Sequence, residues 1–234
     1  TRKKTEFMYV QSTHHHQKFK KQPLVLEGSI IQPKDKVRNL GVLIDQTLSM
    51  KSHVSFVVSS CENQLRKLGR VRRNLTSEAS HCAVRGAVLS RIDYCNSLLA
   101  GLGPTQIHRL QLIQNKAARI ISRTKKYDSI SPVISSLHWL TVHKRIKYKI
   151  LVLAYKSLHN TAPGYLRQLI PDYQPTRQLR SASASNLQTK IVRKKIGEGA
   201  FSVIAPKLWN QLPLSLKNSK TLTHFRKSLK TYLF

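Results

Sequence analysis

Carboxylates are scarce in this chain, and their scarcity limits how it can fold. The 234 residues include 41 Lys and Arg but only 10 Asp and Glu, which gives a formal net charge of +31 at pH 7. Most cations therefore have no carboxylate of the same chain to pair with, and a fold must leave them in solvent or opposite a polyanion. This balance predicts nucleic acid, RNA or DNA, as the partner.

The positive charge is concentrated in the C-terminal part of the sequence. Residues 1–100 carry 17 basic and 7 acidic side chains, and residues 101–234 carry 24 and 3.

No apolar run reaches the ~18 residues of a membrane span, no signal-peptide pattern follows the first charges, and three cysteines are too few for a disulfide framework. We therefore expect an intracellular protein with neither a membrane partner nor a small-molecule substrate. The start TRKKTEFMYV, without an initial Met, indicates a piece of a longer chain.

Hydrophobic periodicity predicts an α+β fold that is mainly α. The front of the chain has strand-like runs at residues 5–10, 24–31 and 37–45, and Glu27-Gly28 suggests a hairpin turn in the second. From Val54 the apolar residues recur at helical spacing. Helices are predicted at about residues 54–69, 76–99, 104–121, 142–159 and 222–233, and a loop or partly ordered linker is predicted at 172–199.

Catalytic and metal-binding patterns are not evident. The ten acids are isolated along the sequence, whereas two-metal chemistry needs clustered carboxylates. His14, His15 and His16 are consecutive and have no cysteine pair at zinc-finger spacing, so no metal site is predicted. Cys61, Cys82 and Cys95 are expected in the core. Asp93, within an apolar helical stretch, is expected to pair with an arginine or to cap a backbone group.

Two readings of the cations and aromatics remain open at this level. Lysines and arginines on the outer helix faces either bind phosphates or only solvate those faces, and the lack of acids favours phosphate binding. Aromatic side chains either stack on bases or belong to the core. The candidates for stacking are Tyr127, Trp139, Tyr148 and Trp209.

Several longer motifs resemble one family. They are SRIDYCNSLLAGL (90–102), LQLIQNKAARII (110–121), LHWLTVHKRIKYKILVLAYKSLH (137–159), APGYL (162–166), LRSA (179–182) and FSVIAPKLWNQLP (201–213) followed by FRKSLKTYLF (225–234). They are similar to the C-terminal third of reverse transcriptases from LINE-type, non-LTR retrotransposons of the jockey and chicken-repeat group. Upstream, KTEFM (4–8) and VRNLGVLIDQTLSMKSHV (37–54) resemble the end of the palm and the entry to the thumb.

The resemblance implies an RNA-directed DNA polymerase of right-hand form, whose palm aspartates hold two Mg²⁺ ions in the full-length enzyme. Those aspartates precede the segment printed here, so we expect this chain alone to hold no cofactor and to be inactive in polymerisation. Lys4 matches the family lysine proposed to protonate pyrophosphate, or it is a plain surface lysine. Leu40, Gly41 and Val42 match the primer grip, or form a tight strand bend.

The same resemblance divides the chain and assigns its cations. It implies a palm-end β segment (1–46), thumb-like helices (47–125), a basic helical region (126–171), a loop or linker (172–200) and a C-terminal helical segment (201–234). Five thumb cations lie within eight residues with no acid among them, and four more follow on a later helix. The nucleic-acid-binding candidates are Arg66, Lys67, Arg70, Arg72, Arg73, Lys144, Arg145, Lys147 and Lys149.

Three hypotheses about function follow from these residues. The first is a reverse-transcriptase fragment that retains template-primer binding and is located in the nucleus or cytoplasm as a ribonucleoprotein. The second is a domesticated module that binds nucleic acid or protein, and the third is a relic that does not fold. The sequence does not indicate an oligomeric state.

Overall fold

The computed structural model of the protein describes residues 5–11, 22–174 and 185–234. Its elements confirm an α+β fold that is mainly α. The strands are β1 (Leu24–Leu26), β2 (Ser29–Ile31), β3 (Lys36–Asn39) and β4 (Val42–Asp45). The helices are α1 (Lys51–Val71), α2 (Ser77–Val84), α3 (Ser90–Asp93), α4 (Pro104–Ser122), α5 (Ser131–Ser136), α6 (Val142–Leu158), α7 (Gly164–Leu169), α8 (Lys195–Glu198), α9 (Phe201–Asn210), α10 (Leu214–Lys217) and α11 (Leu222–Leu233).

The chain divides into two compact units, residues 1–60 and 61–234, and the division falls within α1. The predicted segment boundaries at 125, 171 and 200 therefore all fall inside the second unit. Within the described ranges, every helix is too short or too polar to cross a membrane.

The first unit is built on two antiparallel hairpins. β1 pairs with β2 across the turn at Glu27-Gly28, as predicted. The strand-like run at 37–45 bends into a second hairpin, in which β3 pairs with β4. Leu40 and Gly41 form its turn with φ of +45° and +84°, and two successive positive φ values suit a two-residue hairpin turn.

The strand predicted at residues 5–10 is wrong. Phe7 makes only an isolated bridge to Pro33, through the bond from the Lys34 N–H to the Phe7 carbonyl (2.7 Å). Pro33 has no N–H, so it cannot extend a ladder of hydrogen bonds. Glu6 is instead bound through its side chain, which accepts hydrogen bonds from Lys34 Nζ (2.7 Å) and the Arg38 N–H (3.1 Å).

The second unit packs around α6. The buried face of α6, including Ile146, Ile150 and Ala154, contacts α4, α9 and α11. Tyr155 continues this face, stacking on Phe225 of α11 with ring centroids 4.3 Å apart. The Tyr155 hydroxyl also donates a hydrogen bond to the Ser219 carbonyl (2.7 Å). Together these contacts fix α11 against α6.

The predicted helices 104–121, 142–159 and 222–233 are confirmed as α4, α6 and α11. The helix predicted from Thr76 to Leu99 begins correctly, since Thr76 accepts a hydrogen bond from the Ala79 N–H. After Val84, however, the chain widens into a π-helical turn (Arg85–Leu89), and α3 ends at Asp93. A separate 3₁₀ turn follows at Asn96–Leu99, after Cys95 with φ of +51°.

The predicted linker at 172–199 has a fixed base. Asp172 and Leu187 form an antiparallel bridge, while the LRSA motif and residues 175–184 lie outside the described residues. The side chain of Asn210 completes the attachment by bonding both backbone groups of Leu187: its Oδ1 accepts from the N–H (2.8 Å) and its Nδ2 donates to the carbonyl (2.9 Å). The segment is thereby tied to α9.

Candidate nucleic-acid interface

The C-terminal end of α1 presents a group of exposed cations. Arg66, Lys67 and Arg70 lie on α1, and Arg73 lies in the 3₁₀ turn that follows (Arg72–Asn74). We call these four residues the basic cluster. Residues 66, 70 and 73 recur at i, i+4 and i+7, which places them on one helix face. None of the four pairs with a carboxylate in the described part of the chain.

Arg72, the fifth residue predicted in this cluster, has a different role. Its half-buried guanidinium donates hydrogen bonds to the carbonyls of Ile120 (2.5 Å), Ile121 (2.9 Å) and Leu75 (2.9 Å). Two of these carbonyls belong to the last turn of α4, where a cation satisfies unpaired acceptors. The structure thus removes Arg72 from the exposed cations.

The four predicted cations of α6 are not equivalent. Lys144 Nζ donates to the Phe234 carbonyl (2.9 Å). Arg145 pairs with Asp93 (2.5 Å) and also donates to the Leu140 carbonyl (3.0 Å). Lys147 is half-buried, whereas Lys149 is exposed. Of the two roles predicted for Asp93, an arginine pair or a backbone cap, the structure shows the arginine pair, although the Asp93 side chain is 40% exposed.

Lys149 lines a cleft of about 470 Å³ within the second unit. Its walls are the π-helical turn with α3, residues 137–140, α6 and α11, and we call it the α6 cleft. Arg85, Arg145, Lys149 and Lys230 contribute its cations, and Asp93 is the one carboxylate among the described residues that line it. Because Arg145 neutralises Asp93, the positive charges of the other three cations are not compensated.

Two glutamines of α4 hold one wall of the α6 cleft in place. The buried Gln114 donates from Nε2 to the Leu140 carbonyl (2.9 Å), and Gln111 Oε1 accepts from the Val142 N–H (2.9 Å). The second bond satisfies a free N–H group in the first turn of α6. These bonds fix the segment that carries Trp139, which lines the cleft together with Tyr148 of α6.

The other aromatic candidates lie elsewhere. Trp209 is buried in the core and donates its indole N–H to the Ser185 carbonyl (3.1 Å). Tyr127 is 92% exposed, with Lys126 Nζ 5.5 Å from its ring centre. Trp139 and Tyr148 are thus the two that share a cavity.

The residues predicted at the palm end belong to the first unit. Leu40 and Gly41 form the β3–β4 turn, with Leu40 84% exposed, while Val42 begins β4 and is buried. The tight bend is therefore observed, and contact with a primer stays a prediction. Lys4 and the histidines at 14–16 lie outside the described residues. Where the chain is described, no group of three or more His, Cys, Asp and Glu residues could hold a metal ion.

Sequence reasoning missed Arg85 and Lys230. Arg85 is an isolated cation in an apolar stretch, and the sequence does not distinguish Lys230 from its neighbours Arg226 and Lys227 on α11. The cleft joins residues from three regions of the chain, so only the packing of α11 and the π-helical turn around α6 reveals the site.

Comparisons with protein-family models, curated proteins and solved structures give no match to this chain. The resemblance to non-LTR reverse transcriptases therefore depends on the sequence motifs alone.

Proposed function

We propose that this chain binds nucleic acid, and that it represents the template-primer-binding part of a LINE-type reverse transcriptase. The observation that supports binding is the basic cluster, in which four exposed cations have no carboxylate partner among the described residues. Like charges this close repel one another unless an anion is near. The motif order along the chain supports the family assignment.

The mode of binding is electrostatic contact with the phosphate backbone. Lysines and arginines on one helix face neutralise phosphates and release counterions, so the affinity falls with salt and depends little on sequence. The proposal for this chain is binding, with no catalytic step.

The test compares two variants of equal net charge. Arg66→Ala, Arg70→Ala and Arg73→Ala together remove three cations of the cluster; Lys34→Ala, Lys116→Ala and Arg167→Ala remove three that pair with Glu6, Glu62 and Asp172. Binding to a mixed-sequence duplex and to an RNA–DNA hybrid is measured by fluorescence anisotropy between ~50 and ~200 mM salt.

We expect the cluster variant to lower the slope of log affinity against log salt by about 2–3, at ~0.9 per lost phosphate contact. The control variant should change the slope much less. Equal slopes for both variants, or a wild-type chain that binds neither duplex nor hybrid at low salt, would contradict the proposal.

A further inference from the structure

We propose that the α6 cleft holds one nucleotide of a single-stranded RNA or DNA segment, with its base inside the cleft and its phosphate at the rim. This inference rests on the proposed nucleic-acid-binding function and adds a second site with its own ligand chemistry. The cleft volume, about 470 Å³, lies within the ~300–1,000 Å³ typical of small-ligand sites.

The rim of the cleft favours an anion. Arg85, Lys149 and Lys230 are exposed lining residues, and none has a carboxylate partner within the described ranges. They come from three different elements, so their charges converge only in the folded unit. A phosphate group is the anion that a nucleic-acid strand supplies at this position.

A ligand group inside the cleft must donate a hydrogen bond, and a phosphate group does not provide such a donor. Asn96 also lines the cleft, is 4% exposed, and donates from Nδ2 to Asp93 Oδ1 (3.4 Å). That bond leaves its Oδ1 as a buried acceptor with no partner among the described residues. Buried acceptors are nearly always satisfied, and the N–H groups of a nucleobase or a ribose hydroxyl can satisfy this one.

Two aromatic side chains complete the site. Trp139 and Tyr148 are half-buried and line the same cavity. Aromatic rings that accept stacked bases are typical of single-strand binding sites. The bases of an intact duplex are already stacked and paired, so a strand must be open for a base to enter.

The backbone supports a ligand site at this place. The wall carrying Arg85 and Leu89 is the π-helical turn. Such turns are rare and are frequently found at functional sites.

The experiment separates base recognition from phosphate binding. The wild-type chain is titrated with a 12-nucleotide RNA, the DNA of the same sequence, an abasic DNA of equal phosphate number and a duplex. The readouts are anisotropy and tryptophan fluorescence, since Trp139 is half-buried and Trp209 is buried. We expect the base-carrying strands to bind roughly tenfold more tightly than the abasic strand and to quench tryptophan emission.

The variants Trp139→Leu and Asn96→Leu should abolish the preference for base-carrying strands while leaving duplex binding unchanged. Lys149→Gln with Lys230→Gln provides a second test at exposed positions, in case Asn96→Leu, at a buried position, unfolds the chain. This pair should weaken single-strand binding and keep the base preference. A ribose contact to Asn96 predicts tighter binding of RNA than of DNA.

The outcomes distinguish the two proposals. Equal affinity for abasic and base-carrying strands, or an unchanged preference in Trp139→Leu, overturns the nucleotide site but leaves the proposed function intact if duplex binding still depends on the basic cluster. A wild-type chain that binds none of the four probes overturns both.

Discussion

Arg145 of α6 and Asp93 of α3 form an ion pair of 2.5 Å on the wall of the α6 cleft. The arginine side chain is 17% exposed and the aspartate 40%. The pair links two helices 52 residues apart in sequence, and it also neutralises the one carboxylate among the described lining residues. It therefore affects both stability and the potential in the cleft.

Asp93→Asn should lower the stability of the chain and raise the affinity of the cleft for nucleic acid. Loss of the pair should lower the free energy of unfolding by about 1–2 kcal/mol, between the values of exposed and buried pairs. The freed charge of Arg145 should raise the affinity for single-stranded RNA at low salt. Asp172→Asn, which breaks the Arg167 pair away from the cleft, is the control and should not raise this affinity.

Arg72 and Arg73 are adjacent in sequence and should behave differently on substitution. Arg72→Ala removes three hydrogen bonds to backbone carbonyls, so we expect a loss of about 2–3 kcal/mol in the free energy of unfolding. Arg73 is exposed, so Arg73→Ala should cost under ~0.5 kcal/mol. It should instead reduce the salt slope of duplex binding by ~0.9.

Denaturant unfolding and salt titration of both single variants check this contrast. Arg72→Ala should keep the wild-type salt slope under conditions where it is folded. A reduced slope with unchanged stability in Arg72→Ala would show that Arg72 contacts phosphate, as the sequence alone suggested.

The hydrogen bonds that the Asp45 carboxyl accepts predict that the first unit loses stability in acid. Burial by itself raises the pKa of this carboxyl, but hydrogen bonds from the N–H and hydroxyl groups of Ser49 and Thr47 outweigh it and hold the pKa below the usual value of an aspartate. A lowered folded-state pKa stabilises the fold above the unfolded-state pKa, and this stabilisation disappears as the pH falls through the folded-state value. Stability should therefore decline below about pH 4.

Calorimetric unfolding between pH 7 and pH 3 tests this expectation. Asp45→Asn should be less stable than the wild type at pH 7 and should lose less stability between pH 5 and pH 3. Glu78→Gln, at an exposed position, controls for the loss of one negative charge. Parallel pH profiles for wild type and Asp45→Asn would contradict the assignment.

Asn210 should be a stability determinant of the segment before α8. Its side-chain amide bonds the N–H and the carbonyl of Leu187, as a neighbouring strand would. Loss of both bonds would leave these backbone groups of the buried Leu187 unpaired. Asn210→Ala should cost about 1–3 kcal/mol and speed hydrogen exchange at the Leu187 amide. The adjacent and exposed Gln211→Ala should change neither quantity.

The parts of the fold that follow local rules were predictable from the sequence. The Pro104 start of α4, the Thr76 cap and the Glu27-Gly28 turn each depend on the chemistry of a few neighbouring residues. The bend at Leu40-Gly41 was predicted from the primer-grip resemblance and not from its turn chemistry, because Leu40-Gly41 lacks the usual Asn-Gly or Asp-Gly signal. The π-helical turn was missed because its apolar residues continue the helical period of α2.

The candidate site was less predictable because tertiary contacts decide which cations are free. Arg72 and Arg73 are neighbours in one basic run, so the sequence does not distinguish them. Their roles differ only because the C-terminal end of α4 lies beside Arg72. The sequence does not single out Arg85, or Lys230 among the cations of α11, and the cleft that joins them exists only after α11 packs on α6.

The cysteines provide a direct test of whether the chain folds as described, which also addresses the hypothesis of an unfolded relic. The sequence prediction that all three lie in the core is wrong: Cys61 is buried, Cys95 is half-buried and Cys82 is exposed. Burial raises the pKa of the Cys61 thiol to about 11, and its Sγ lies 3.8 Å from the Val88 carbonyl. Because the thiolate is the reactive form, Cys61 should be inert at pH 8 and Cys82 reactive.

Two double variants isolate these thiols: Cys82→Ser with Cys95→Ser leaves Cys61, and Cys61→Ser with Cys95→Ser leaves Cys82. We expect the Cys82 thiol to react with Ellman's reagent at the rate of a free thiol, and the Cys61 thiol to react only after denaturant is added. Thermal unfolding of both variants confirms that each retains the fold. Equal rates for the two thiols without denaturant would show that the region around α1 and the π-helical turn is not packed as described.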